Sequence, residues 1–106
     1  MPPSLSYSAA VILQAVANGY QYGFDIMDIT GLPSGTVYPA LRRMEDAGYV
    51  RADWESHEAA QREMRPPRRY YLVTKLGDQI LKAALKRYRQ LVRPAPAVRK
   101  AARDKS

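Results

Sequence analysis

Helix-ending signals at Asn18-Gly19, Gly31 and Gly48 constrain this chain more than anything else in it, because they cut its first half into three short helices. Ser6 is a good N-cap, and Ala9, Ile12, Leu13, Val16 and Ala17 recur with helical spacing, which predicts a helix over 7–18. A shorter helix is expected over 23–30, where Phe24, Ile26, Met27 and Ile29 are apolar and Gly31 suits the left-handed residue after its end. The tight turn Gly31-Leu32-Pro33 follows, and Ser34 reads as the cap of a third helix that runs to about Ala47. A chain of 106 residues has room for one core.

The third helix has two unlike faces. Val37, Leu41 and Met44 fall together and need a core, while Gly35, Thr36, Pro39 and Arg42 face away. Gly35 and Pro39 add almost no bulk, so the backbone can come close to another surface, with Tyr38 and Arg42 flanking the bare strip. A DNA groove is a surface of that kind: an N-terminal Ser or Thr reaches phosphate or base edges, Tyr reaches phosphate or a thymine methyl, and Arg grips phosphate or guanine. Pro39 removes one helical hydrogen bond and disfavours a helical Tyr38, so a local kink is expected near the helix start. Glu45 and Asp46 repel phosphate, which confines any DNA contact to the first two turns.

From 49 to 55 the residues alternate, with Val50, Ala52 and Trp54 on an inner face and Arg51, Asp53 and Glu55 on an outer one, and Trp54 is assigned to the core. A polar loop over 56–67 leads to Arg69-Tyr70-Tyr71-Leu72-Val73, a second strand, so the two form a long-looped hairpin, a wing. Arg62, Arg65, Arg68 and Arg69 stand on it against Glu63 alone, and arginines on a hairpin tip suit phosphate or a narrow minor groove. Thr74 caps a fourth helix that Pro94 closes. Leu81, Ala84, Tyr88 and Leu91 are spaced 3, 4 and 3 apart along it, widened by Ile80, Leu85 and Val92, an apolar seam ready for a partner helix. Residues 94–106 are mostly Pro, Ala, Lys and Arg with little to bury, and are expected to be disordered.

Charge agrees with a polyanionic partner. The net charge is +7, yet residues 1–41 carry only Asp25 and Asp28, so the basic excess lies in the later part of the fold. No cysteine is present, which excludes disulfides, zinc ribbons and thiol catalysis. The only histidine, His57, sits beside Glu55 and Glu58 without metal-ligand spacing and reads as a solvated loop residue; no phosphate-binding glycine loop is seen, so no enzyme and no cofactor is expected. Neither a signal segment nor an 18-residue apolar run appears, and a cytoplasmic protein is expected.

The segment Ser34-Gly-Thr-Val-Tyr-Pro-Ala-Leu-Arg-Arg-Met-Glu-Asp-Ala-Gly-Tyr-Val closely resembles the recognition-helix signature of PadR-type regulators. Tyr22-Gly23-Phe24-Asp25-Ile26-Met27 before it, and Arg68-Arg69-Tyr70-Tyr71-Leu72-Val73-Thr74-Lys75-Leu76-Gly77 after it, match in the family's order and at similar spacing. The resemblance implies a non-enzymatic repressor, often released from DNA by a small hydrophobic or phenolic molecule, and places DNA contacts at Tyr22, Ser34, Thr36, Tyr38 and Arg42 with wing contacts around Arg65 and Arg68. It also implies the short subclass, with a single C-terminal helix that pairs with its twin. Some short members hold drugs between aromatic residues of those helices, where this chain offers Tyr88 and no Trp.

Together these readings predict a mainly α fold with a small β-hairpin: a winged helix-turn-helix over 1–73, a dimerisation helix over 74–93 and a basic tail. The expected DNA-binding residues are Tyr22, Ser34, Gly35, Thr36, Tyr38, Pro39, Arg42, Arg65, Arg68 and Arg69, and the expected homodimer interface is Leu81, Ala84, Leu85, Tyr88, Leu91 and Val92. The expected partners are double-stranded DNA, a second copy of the chain and a small-molecule effector. The competing reading is a winged-helix protein-interaction module without specific DNA binding.

Overall fold

The computed structural model describes residues 5–91. Val92 and the tail expected to be disordered lie outside them. Helix α1 (Tyr7–Ala17) starts where Ser6 Oγ accepts from the Ala9 amide at 3.2 Å, and it is the hub of the fold, meeting α2 (Gly23–Thr30), α3 (Ser34–Asp46), strand β2 (Arg69–Val73) and α5 (Lys75–Arg87). Ile12, Leu13, Ile26, Val37 and Leu41 are fully buried around it. Each such side chain contributes about 1.5–3 kcal/mol of burial, which lets a domain this small hold one core.

Helix α2 ends as its glycine predicts, with Gly31 at φ 74° and its amide donating to the Met27 carbonyl. The start of α3 differs by one residue from expectation: Pro33 is the cap, Ser34 is the first helical residue, and no side chain caps the end. The helix runs unbroken through Pro39, and its buried face is Val37, Ala40, Leu41 and Met44. Pro39 follows Gly35 by four residues, so the carbonyl deprived of its helical donor belongs to Gly35, on the exposed face of the helix.

Strand β1 (Val50–Trp54) pairs antiparallel with β2, from Val50 opposite Val73 to Trp54 opposite Arg69. Tyr22 adds a bridge to Tyr70, and the Tyr71 amide donates to the Gln21 carbonyl at 2.9 Å, so the chain before α2 lies along the hairpin's other edge. Trp54 is not core but 59% exposed. Inward burial on β1 fades from Val50 to Ala52, because Trp54 lies toward the wing tip, past the helices, where its register partner is Arg69 and that guanidinium sits 5.7 Å from the ring centre.

The expected polar loop contains a helix, α4 (His57–Arg62), capped by Ser56 and anchored by buried Ala60. At the other end of β2, Thr74 Oγ1 accepts from the Gly77 amide and donates back to the Gly48 carbonyl at 2.6 Å, so one hydroxyl starts α5 and ties it to the end of α3. Helix α5 stops at Arg87 rather than running to Pro94. Tyr88 leaves the helix (ψ 85°), gives its hydroxyl to the Leu5 carbonyl at 2.9 Å and meets Tyr7 edge-on. Residues Arg89–Leu91 then form a 3₁₀ turn whose end is held by Gln14 Nε2 donating to the Leu91 carbonyl at 2.8 Å. Leu81, Ala84 and Leu91, expected to face a partner helix, are buried inside the protomer, Leu81 in the main core and the other two against Ala10 of α1; Leu85 and Tyr88 are half-buried beside them.

Candidate nucleic-acid interface

The first two turns of α3 form one side of the candidate surface. Ser34, Gly35, Pro39 and Arg42 are exposed there and Thr36 is half-buried. A side chain built on Gly35 would meet nothing within 4 Å, which is the bare approach expected of this face. With no side-chain cap and no acid in its first turn, α3 directs the positive end of its dipole outward. Arg42 takes part in none of the ion pairs among the described residues.

Tyr38, 45% exposed, joins this face to α2. Its ring lies directly on Gly23, so closely that a Cβ on Gly23 would collide with the phenol. A cleft of about 240 Å³ lined by Tyr22, Gly23, Phe24, Tyr38, Arg68, Arg69 and Tyr71 lies on one side of Tyr38, and one of about 360 Å³ lined by Tyr38, Pro39, Arg42, Glu45, Arg69 and Tyr71 on the other. Helix α3 and the wing thus share one continuous basic and aromatic surface. Burial pushes the phenol of Tyr71, at its floor, up from the ordinary tyrosine range.

The wing arginines are differently engaged. Arg68 lies over the Phe24 ring at 4.7 Å and takes part in no ion pair among the described residues, and Arg69 is bound to Glu45 of α3 at 2.9 Å. Glu45 therefore holds a wing arginine besides repelling phosphate. Arg65 grips Glu55 with both terminal nitrogens, at 2.6 and 3.1 Å. The Glu55 carboxylate also accepts from the Tyr22 hydroxyl at 2.8 Å and from the Arg68 amide at 2.9 Å. Arg65 first and the Arg68 amide second hold its carboxyl down to about 2, while the same bond to Glu55 raises the Tyr22 phenol. Sequence reasoning missed Glu55 as a functional residue; the available signal was an acid on the outer strand face beside an arginine-rich loop.

A family model described as the transcriptional regulator PadR-like family matches residues 12–83, which take in the second half of α1, the helix-turn-helix, the wing and most of α5. The chain belongs to the PadR-like family. That family consists of transcriptional regulators rather than enzymes. Similar solved structures include a PadR family regulator of hypervirulent Clostridium difficile R20291 (TM-score 0.68, 23% identity, 81% of this chain and 91% of that one). A protein of Streptococcus mutans UA159 gives 0.67 at 24% identity, covering 94% of both chains. A PadR-like factor of Bacteroides fragilis gives 0.63 at 23%, covering 85% and 87%. At these identities the solved structures establish the winged-helix fold. No curated protein matches the chain. Among the described residues no helix is long and apolar enough to cross a membrane, and no cluster of ligating side chains suits a metal.

Proposed function

We propose that this PadR-like chain is a sequence-specific repressor that binds duplex DNA as a homodimer. The observation that carries the reading is the single surface on which the bare start of α3, with Arg42, lies beside the wing, with Arg68. Ser34, Gly35, Thr36, Tyr38, Pro39 and Arg42 enter the major groove, Arg42 reading a base edge, while Arg68 and Arg69 take phosphate. Tyr22 and Arg65, both held by Glu55, shape the wing that meets the backbone. Two copies pair beside the end of α5 around Leu85 and Tyr88, with Leu81, Ala84 and Leu91 as the packed layer beneath, and so set two recognition helices one helical turn of DNA apart.

Release by a small hydrophobic or phenolic effector uses Tyr88 as its aromatic contact. Because the Tyr88 hydroxyl already donates to Leu5, such a molecule has to displace or build on that bond. The test is selection of duplexes from a randomised pool by the purified chain. A pseudo-palindromic sequence is expected to be enriched, with binding that falls steeply as salt rises. Failure to enrich any sequence, with one stoichiometric protein partner recovered from nuclease-treated lysate, supports the interaction-module reading instead.

A further inference from the structure

We propose that Glu55 is a positioning residue for DNA recognition: its carboxylate pins the wing to the start of α2 and thereby sets the wing's register against α3. The inference rests on the DNA-binding reading above. Glu55 is an acid on a surface built for phosphate, and its side chain is only 9% exposed, so it costs desolvation and repels the ligand. Its four accepted hydrogen bonds come from three places: Tyr22, which caps α2, Arg65, which follows α4, and the Arg68 amide, one residue before β2. Its own amide donates to the Arg68 carbonyl at 2.9 Å, closing the hairpin neck from the other side.

A path of direct contacts then leads to the recognition helix. Tyr22 precedes Gly23, and Gly23 carries the ring of Tyr38. On the wing side, the residue whose amide Glu55 holds is the one whose guanidinium lies over Phe24 of α2. Arg65, so placed, serves as the counter-charge that keeps Glu55 ionised.

Simple electrostatics and this proposal predict opposite signs. Removing a negative charge from a basic wing strengthens DNA binding if charge alone matters. Loss of positioning weakens it, and only for the sequence that needs both elements in register. The experiment measures the affinity of wild type, Glu55→Gln and Glu55→Ala for the duplex enriched from a randomised pool and for a scrambled duplex of the same composition. Melting curves serve as the folding control. The enriched duplex is expected to lose affinity by roughly ten-fold in Glu55→Ala, comparable with one mismatched base pair. Glu55→Gln, whose amide oxygen still accepts one of the four bonds, falls between, and scrambled-duplex binding tightens slightly. Equal or tighter binding of the enriched duplex by a folded variant overturns the proposal, as does an equal loss on both duplexes. Where Glu55→Ala does not fold, Glu55→Gln decides. A wild-type chain that prefers no sequence overturns the regulator reading itself and the role of Glu55 with it.

Discussion

Arg42 and Arg68 are both exposed arginines on the candidate surface, yet their surroundings differ, and under the proposed function so do their tasks. Arg42 rises from a rigid helix two turns from its start, the geometry of a base contact, whereas Arg68 lies flat on Phe24 at the wing, the geometry of a backbone contact. Arg42→Ala is expected to weaken the selected duplex by about 1–3 kcal/mol with little effect on scrambled DNA, while Arg68→Ala weakens both and lowers the salt slope by about one. Anisotropy titrations over a salt series measure both. Glu55 adds a pH dependence. Its carboxyl stands at about 2 in the fold against an ordinary 4.5, so the clamp's stabilisation is present above about 4.5 and drains away as pH falls toward 2. Trp54, the chain's single tryptophan and the neighbour of Glu55, is expected to report this as a fluorescence change in that window, absent from Glu55→Gln. The exposed half of the site was legible in the sequence because helical spacing alone turns Gly35, Pro39 and Arg42 away from Val37, Leu41 and Met44. The engaged half was not: Arg65, Arg68 and Arg69 are the same residue type, and only their neighbours distinguish them.

Among the elements, α5 shows how a local signal and a distant one act on the same helix. Its start was legible, since Thr74 is a capping residue followed by a helical pattern. The same start also has to pass over the beginning of the hairpin, and there Gly77 lies against the Tyr49 carbonyl so closely that no Cβ fits. Gly77→Ala, which on helix propensity alone would stabilise, is expected to destabilise by about 1–3 kcal/mol or more, as measured by denaturant unfolding. The end of α5 was not legible. Its apolar pattern continues past Arg87, and it is Leu5, Tyr7 and Gln14 of the N-terminal region that draw Tyr88 and Leu91 out of the helical path. Helix α4 was missed for a different reason: with six residues and only Ala59 and Ala60 apolar, it shows no periodicity, and its one sign was the Ser56 cap.

For the molecule as a whole, the hub is α1, and that bears on how two copies would meet. Because α1 already covers Leu81, Ala84 and Leu91, a partner helix is left, among the described residues of this seam, the half-buried Leu85 and Tyr88. Under the proposed pairing, Leu85→Asp is expected to leave a monomer in sedimentation where wild type is a dimer, while the circular dichroism of the helices persists, and to cost most of the affinity for a two-half-site duplex. Apart from α4, the sequence by itself determined which segments are helices and strands, where most of them begin and end, and which face of α3 is buried. Those features rest on caps, glycine turns and side-chain periods that act within a few residues. Only the tertiary structure decided that Trp54 is exposed, that α5 ends early against α1, and that an acid holds the basic wing in place. The bonds responsible join residues 33 positions apart, as Tyr22 and Glu55 are, or 83, as Leu5 and Tyr88 are, and they form only after the chain has closed on itself.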